Sequence, residues 1–342
     1  MELGINLNII WFVLIGILLA GYAILDGFDM GVGALHLFVK KDEDRRIMIN
    51  SIGPVWDGNE VWLVTGGGAL FAAFPIVYAT VFSGFYTAFM LLLFALIFRA
   101  ISIEFRSKRP GRVWRQMWDI SFSIASILIA FLMGVALGNI VTGIPLTADK
   151  EFAGSFLSLL NPYTILVGIS TVALFMMHGS IYVVMKTEGE LQKKVRGWIN
   201  NTIIFFVISY VTMTMYTLIY YPHMIAHFKE TPAYFLVALL NMLAVANIPR
   251  EIHHEKYFKA FLSSSASIVA LFGLFAIGLF PNIVLSNSNP ELSLNIYNAA
   301  SSQKTLGIML TIATIGIPFV LAYTISIYWI FRGKVKIDKM SY

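Results

Sequence analysis

The stretch NIIWFVLIGILLAGYAILDGFDMGVGALHL, residues 8–37, decides the fold class of this chain. It contains no lysine or arginine over thirty residues, and its only carboxylates are Asp26 and Asp29. A helix needs about 20 predominantly apolar residues to cross the hydrocarbon core of a bilayer. The stretch therefore predicts a membrane-spanning helix, and its extra length predicts that this helix tilts or extends beyond the membrane.

The composition of the whole chain agrees with this prediction. Hydrophobic residues make up 58% of the 342 residues and charged residues only 13%, whereas an ordinary soluble domain has about 25% charged residues. A large soluble domain is therefore excluded. The lack of cysteine excludes disulfides, iron–sulfur ligation and thiol catalysis. Residues 1–7 contain no basic residue and the first apolar run is too long for a signal sequence, so we expect no cleavable signal peptide.

Nine apolar runs, separated by polar breaks, follow one another along the chain. Their approximate bounds are 8–37, 49–74, 76–98, 118–144, 162–185, 198–221, 231–248, 257–281 and 305–331. We therefore predict an all-α integral membrane protein with nine transmembrane helices. The break between the second and third runs is only Phe74-Pro75, which predicts a tight antiparallel hairpin.

The positions of the basic residues predict the orientation of these helices. Of the 24 lysines and arginines, 21 fall in alternate gaps, and only Lys150, Lys229 and Lys304 fall in the opposite gaps. The basic gaps lie at 40–46, 99–115, 186–196, 250–259 and 332–339. Cytoplasmic loops carry an excess of Lys and Arg, so the N-terminus is predicted outside and the C-terminus inside. The net charge of +5 is thus explained by topology, and we expect no nucleic-acid partner.

Two of the predicted spans resemble each other. Span four reads SIASILIAFLMGVALGNIV from Ser123, and span eight reads SSASIVALFGLFAIGLFPNIV from Ser264. Four helices separate the two copies, so they run in the same direction. This predicts a first four-helix bundle over 1–145, a second over 146–285, and a peripheral ninth helix with a cytoplasmic tail over 286–342. The alternative is that two spans rich in Ser, Ala and Gly are similar by composition alone.

Two pairs of carboxylates lie inside the first two spans. LDGFDMGVG carries Asp26 and Asp29, and WDGNEVW carries Asp57 and Glu60, each pair on one helix face at i,i+3. Asp29 and Asp57 each lie 11 residues from a basic residue of the nearest cytoplasmic gap. At the rise of an α-helix, both are therefore predicted to lie about 16 Å above the cytoplasmic charge belt.

Four acids at similar depth on adjacent helices cannot all be ionised and dry. Some must be protonated or reached by water, which is typical of a proton relay. The alternative is that the carboxylates cap kinks at the neighbouring glycines or bind cationic groups of a partner protein.

Three other features of the spans allow two interpretations each. His178 is the only histidine clearly inside a span, and a satisfied core histidine is a better interpretation than a haem ligand. Asp119 lies at the predicted start of span four, where a helix N-terminus favours an acid, so a structural role is expected. Gly66-Gly67-Gly68 predicts close helix packing, and the alternative is a thin-walled passage for a small apolar molecule beside Trp62.

Several motifs together resemble subunit II of cytochrome bd-type quinol oxidases, including the cyanide-insensitive branch. They are GYAILDGFDMGVG at 21–33, RRIMINSIGPVWDGNEVWLVTGGGALFAAFPIVYATVFSGFY at 45–86, FRSK at 105–108 and SSQKTL at 301–306. The resemblance extends over essentially the full length and is densest over 21–108.

The resemblance implies a bacterial cytoplasmic-membrane complex that oxidises quinol, reduces O₂ to water and serves the respiratory chain. Haems b558, b595 and d belong to the partner, subunit I, while subunit II has two four-helix bundles and a peripheral helix but no haem. Asp57 of the Trp-Asp-Gly-Asn motif would belong to a proton path, which Glu60, Asp26 and Asp29 would extend. Trp62 would line an apolar oxygen route described in some members. Glu60 stands where some relatives have glutamine.

From these features we expect a haem-free subunit that stabilises subunit I, with no catalytic centre, metal or cofactor of its own. A small single-helix subunit and membrane lipid are further expected partners. The alternative function is a secondary transporter, which also has carboxylates near the membrane midplane and internal repeats. A pure scaffold, with proton and oxygen traffic elsewhere, is the third hypothesis.

The predicted topology can be tested with fusions at the C-terminus. A reporter that is active only in the cytoplasm should be active when fused after Tyr342, because nine spans with an external N-terminus place that residue inside. Activity of a periplasm-specific reporter at the same position would contradict the nine-span count.

Overall fold

A computed structural model describes residues 6–337 of the chain. Part of the segment on which the signal-peptide expectation rests, residues 1–5, lies outside this range. Lys339 of the last basic gap and the fusion site Tyr342 also lie outside the described residues.

The described residues are almost entirely helical, which confirms the all-α class. The helices are α1 (Leu7–His36), α2 (Asp42–Ile52), α3 (Trp56–Ala73), α4 (Pro75–Gly84), α5 (Tyr86–Phe105), α6 (Arg112–Thr142), α7 (Pro162–Lys186), α8 (Gly189–Tyr220), α9 (Ala226–Glu230), α10 (Phe235–His253), α11 (Tyr257–Leu279) and α12 (Gln303–Ile330). Two short antiparallel strands, β1 (Asn282–Val284) and β2 (Leu294–Asn295), lie in the loop before α12.

Eight helices within residues 6–337 are long and apolar enough to cross a membrane. They are α1, α5, α6, α7, α8, α10, α11 and α12. Of the most apolar stretch of 18 residues in α7, 72% are buried, whereas in the corresponding stretch of α12 only 6% are buried. α7 is therefore the central helix of the fold, and α12 lies at its periphery.

The second predicted span, 49–74, is not one continuous helix. α2 ends at Ile52 and α3 begins at Trp56, and the turn between them contains Gly53 and Pro54. Proline lacks a backbone donor and disfavours helix at the preceding residue, so the chain breaks there. The prediction of a single span was wrong in this respect. α3, with 18 residues, is not among the eight helices above, so the count of nine spans stays a prediction.

The third predicted span, 76–98, also has different bounds in the structure. The hairpin at Phe74 is confirmed, with Pro75 as the first residue of α4, where its fixed φ suits a helix start. α4 and α5 meet at Phe85, and α5 then continues to Phe105. Arg99 therefore lies inside a helix and not in the loop that follows it, while the assignment of the gap 99–115 to the cytoplasm stays a prediction.

α1 crosses α7 at a contact that only glycine allows. A Cβ on Gly31 would lie 1.9 Å from the carbonyl oxygen of Phe175, and a Cβ on Gly179 would lie 2.6 Å from the carbonyl carbon of Gly31. Small residues let two helix backbones approach closely in a membrane protein. The crossing joins the predicted first bundle to the second, and both contribute residues to one buried cluster. The division at 145 and 285 stays a prediction.

α12 is attached to the rest of the chain mainly near its two ends. At the N-terminal end, Trp11 donates from Nε1 to the Leu306 carbonyl at 3.0 Å, and Gln303 Nε2 donates to Asn8 Oδ1 at 2.7 Å. Near the C-terminal end, Tyr328 reaches α3. Most side chains between these contacts are exposed in the isolated chain.

Candidate functional site

A buried arginine brings together carboxylates from two of the helices. Arg99 of α5 is fully buried, and its Nη2 donates to Asp26 Oδ1 of α1 at 2.7 Å. The same nitrogen donates to Glu60 Oε1 of α3. Asp26 is also fully buried, while the Glu60 side chain is 25% exposed. Three helices are therefore held together by one cation between two acids.

Asp29 joins this cluster through an amide. Asn59 of α3 donates from Nδ2 to Asp29 Oδ2 at 2.8 Å and to the Leu25 carbonyl at 3.0 Å. Its own Oδ1 accepts a hydrogen bond of 2.8 Å from the hydroxyl of Tyr328 in α12. Asn59 and Asp29 are both buried. Neither Asn59 nor Arg99 was identified from the sequence as a site residue.

The cluster carries more buried acid than buried base. Asp26 and Glu60 contact Arg99 directly and Asp29 is joined to the cluster through Asn59, so three ionised carboxylates would share a single guanidinium. Several buried polar atoms of the cluster also have no hydrogen-bond partner within the described protein. They are Tyr22 Oη, Asp26 Oδ2, Asp29 Oδ1 and Arg99 Nε and Nη1. Like charges close together in a dry site disfavour ionisation, so this geometry favours binding at least one proton or admitting water.

Asp57 lies apart from the buried cluster. It is exposed on the surface of the isolated chain, and no hydrogen bond among residues 6–337 joins it to Glu60 or Arg99. The 16 Å depth predicted for Asp57 assumed a continuous helix from Arg46. Because α2 and α3 are separate helices, that estimate does not hold. The structure thus brings together Asp26, Asp29 and Glu60 and leaves Asp57 one turn away, in the first turn of α3.

A second ion-pair cluster lies at the C-terminal end of α1. Asp119 accepts hydrogen bonds from His36 at 2.6 Å, Arg45 at 2.9 Å and Arg106 at 2.5 Å. Asp42 accepts from Arg106 and Arg115, each at 2.7 Å. A structural role for Asp119 agrees with these contacts, but the predicted reason was wrong. α6 begins at Arg112, so Asp119 lies about two turns inside the helix and is held by ion pairs.

His178 has protein partners at both ring nitrogens. Nε2 donates to the Ile24 carbonyl at 3.0 Å, and Nδ1 lies 2.7 Å from Ser264 Oγ. The ring is fully buried and stacks on Phe261 with centroids 4.7 Å apart. An axial haem ligand needs one free nitrogen directed at the iron. The contacts of His178 fit a core histidine and do not fit a haem ligand.

Two of the three consecutive glycines, Gly66 and Gly67, border an apolar cavity. This cavity, of about 530 Å³, is lined by Gly66 and Gly67 together with apolar side chains of several helices. A Cβ on Gly66 would lie 3.3 Å from Leu19, but a Cβ on Gly67 or Gly68 would meet nothing within 4 Å. Close packing within this chain therefore explains why position 66 is glycine, but it does not explain the glycines at positions 67 and 68. Trp62 packs over Gly21, where a Cβ would lie 2.5 Å from the indole.

Comparisons with known proteins agree on one family. The family described as cytochrome bd terminal oxidase subunit II matches residues 7–331. The chain is 36% identical to cytochrome bd-I ubiquinol oxidase subunit 2 of Escherichia coli K12, with 96% of this chain and 95% of that protein covered. It is 33% identical to cytochrome bd ubiquinol oxidase subunit 2 of Bacillus subtilis, with 96% and 97% covered.

A solved structure supports the fold independently. A chain of the bd oxidase from Geobacillus thermodenitrificans superposes with a TM-score of 0.78 and covers 96% of this chain and 98% of its own. The sequence identity is 15%, so this likeness concerns the fold alone.

Replacing Arg99 with leucine should destabilise the protein strongly. The substitution leaves Asp26 and Glu60 without their shared cation, and removing one partner of a buried ion pair costs about 3–5 kcal/mol. We expect a lower melting temperature of the detergent-solubilised protein, measured by thermal unfolding.

Two further variants make this measurement specific. Lys108→Leu removes an exposed cation just beyond α5 and should leave the melting temperature nearly unchanged. Combining Arg99→Leu with Asp26→Asn and Glu60→Gln removes Arg99 together with both of its ion-pair partners and should recover much of the loss. A melting temperature of Arg99→Leu equal to that of the unmodified protein would contradict the interpretation of Arg99 as the counter-ion.

Proposed function

The chain belongs to the cytochrome bd terminal oxidase subunit II family, and on that premise we propose that its carboxylate cluster delivers protons to the partner subunit. As a member of this family it is a subunit of a quinol oxidase complex, an oxidoreductase of the respiratory chain, and works with subunit I. It is a multi-pass protein of the bacterial cytoplasmic membrane. The secondary-transporter hypothesis is therefore replaced.

The observation that carries the proposal is the excess of buried acid around Arg99. One guanidinium cannot neutralise three carboxylates of which two, Asp26 and Asp29, are buried, so protons or water must enter the cluster. Ionisable residues inside a membrane protein are costly and are found mainly on ion or proton paths. A carboxylate that both binds and releases a proton is the group such a path requires.

The proposed route connects Asp57 on the surface of α3 with the buried carboxylates behind it. Glu60 lies one helical turn further along the same helix and is partly exposed, so it can exchange protons with Asp57 and with the buried carboxylates. Asp26 shares Arg99 with Glu60, and Asp29 is linked to the cluster by Asn59. Arg99 holds the two acids at fixed positions while the proton that balances their charge moves among the carboxylates.

Haem chemistry is assigned to the partner in this proposal. In this chain both nitrogens of His178 are engaged by protein atoms, so this histidine does not fit an axial haem ligand. Haems b558, b595 and d, and the oxidation of quinol, would belong to subunit I. This chain would stabilise subunit I, and a small single-helix subunit and lipid would complete the assembly. The two bundles, 1–145 and 146–285, remain part of the proposal.

The exposed face of α3 is the proposed contact surface for subunit I. Asp57, Val61, Val64 and Gly68 are exposed and recur at helical spacing along one face, and Val64 is 73% exposed. A carboxylate facing lipid would be costly, so this face must meet protein or enclosed water. The flat surface at Gly68 would let a helix of the partner approach closely.

An oxygen route is a second proposed role, and it rests on the apolar cavity. Gly66 and Gly67 form a thin part of the cavity wall on α3, and a small apolar molecule such as O₂ partitions readily into such a space. Trp62 lies on the same helix one turn earlier and is partly buried. The route would pass beside this indole toward the partner.

Asp57→Asn should abolish most of the turnover without disturbing assembly. The amide keeps the shape of the side chain but cannot take up and release a proton. We expect the complex to assemble with normal haem content and its oxygen consumption per haem d to fall by about tenfold or more. A scaffold role predicts the opposite pattern, with poor assembly and near-normal turnover per haem. An unchanged rate per haem would rule out the relay through Asp57.

Crosslinking can test the proposed contact surface. A photoreactive residue placed at Val61 or Val64 should crosslink to subunit I, because these positions lie on the exposed face of α3. Ile312 of α12, which is 65% exposed, is a matched control and should label lipid. Crosslinks to subunit I confined to α7 through α12 would contradict the proposed surface.

A further inference from the structure

One hydrogen-bond chain connects the peripheral helix α12 to the acid cluster. The Tyr328 hydroxyl donates to Asn59 Oδ1 at 2.8 Å, and Asn59 Nδ2 donates to Asp29 Oδ2 at 2.8 Å. These two hydrogen bonds lead from the most exposed long helix of the fold to a carboxylate that is 1% exposed. The first of these bonds is made by a helix that otherwise shows mainly apolar side chains on its surface.

The contacts of Asn59 fix the orientation of its amide. The NH₂ group has two hydrogens, and it donates to the Leu25 carbonyl and to Asp29. The remaining polar atom, Oδ1, accepts from Tyr328. Asn59 is 2% exposed, so bulk water cannot replace the lost partner if the hydroxyl is removed. A buried acceptor left without a partner destabilises this arrangement of the amide.

Tyr328 is itself held in place by contacts at the end of α12. Lys186 at the end of α7 donates from Nζ to the Phe331 carbonyl, and the Val335 backbone N–H donates to the Lys186 carbonyl at 2.9 Å. Lys334 Nζ donates to the carbonyls of Met185 at 2.9 Å and Thr187 at 2.8 Å. A cation at the C-terminal carbonyls of a helix is favourable. The C-terminal end of α12 is therefore attached to α7.

We propose that Tyr328 is a positioning residue for the proton relay, which keeps Asn59 oriented as a hydrogen-bond donor to Asp29. The inference rests on the proposed proton delivery and adds α12 to it. With the hydroxyl present, the amide presents N–H to the carboxylate. Without it, Oδ1 loses its partner and the amide is held only by its two donated hydrogen bonds, so its position against Asp29 is less fixed, which changes how readily Asp29 exchanges its proton. The peripheral helix α12 thereby influences proton exchange at the buried carboxylate of Asp29.

The test is a double-mutant cycle in the assembled oxidase complex. Tyr328→Phe, Asn59→Ala and the double variant are compared by oxygen consumption per haem d over a range of pH. We expect Tyr328→Phe to lower turnover by about threefold or more and to displace the pH profile, since the net weight of one hydrogen bond between neutral groups is of this order. The double variant should be no worse than Asn59→Ala alone, because Tyr328 acts through Asn59.

Tyr323→Phe is the matched control, since Tyr323 lies on the same helix and is 64% exposed. It should leave turnover per haem and the pH profile unchanged. If Tyr328→Phe lowers only the amount of assembled complex, or if its effect adds to that of Asn59→Ala, the inference is wrong. If Asp57→Asn abolishes turnover while Tyr328→Phe leaves turnover per haem d and its pH profile unchanged, the inference fails and the proposed function stands. If Asp57→Asn has no effect, the proposed function fails, and the cycle still decides whether Tyr328 acts through Asn59.

Discussion

The burial of one arginine among three carboxylates is the constraint on which the rest of the structure depends. An ion taken out of water costs several kcal/mol unless partners compensate for the lost hydration. Arg99 can be buried only because Asp26 and Glu60 meet it, and these residues come from different helices. The pairing therefore fixes α1, α3 and α5 relative to one another. It also leaves a surplus of acid, and this surplus makes the cluster capable of exchanging protons.

Two backbone features position that cluster. The glycine contact between Gly31 and Gly179 lets α1 lie directly against α7, so that the face of α1 that carries Asp26 and Asp29 is enclosed by protein. The break at Gly53 and Pro54 starts a new helix at Trp56. The new helix presents Asn59 and Glu60 to the cluster and Asp57 to the surface. One face of α3 therefore contacts the buried cluster, and another face belongs to the proposed partner surface.

The fold class and the candidate acids were predictable because they follow from local sequence. Long apolar runs, the hairpin at Phe74 and the i,i+3 carboxylate pairs depend only on residue order and helix geometry. Arg99 was missed because an apolar run ends, by definition, at its first charged residue, although the helix itself continues to Phe105. The depth estimate for Asp57 does not hold because it required a continuous helix from Arg46 and overlooked the local break at Gly53 and Pro54.

The sequence by itself determined that this chain is helical, that it lies in a membrane, and to which family it belongs, since hydropathy and motifs are properties of residue order. Only the tertiary structure decided which charged groups meet. Asp26, Glu60 and Arg99 are separated by up to 73 positions, and Tyr328 lies 269 positions from Asn59. Such contacts depend on how helices cross, and the crossings are set by packing between distant segments, which no local pattern encodes.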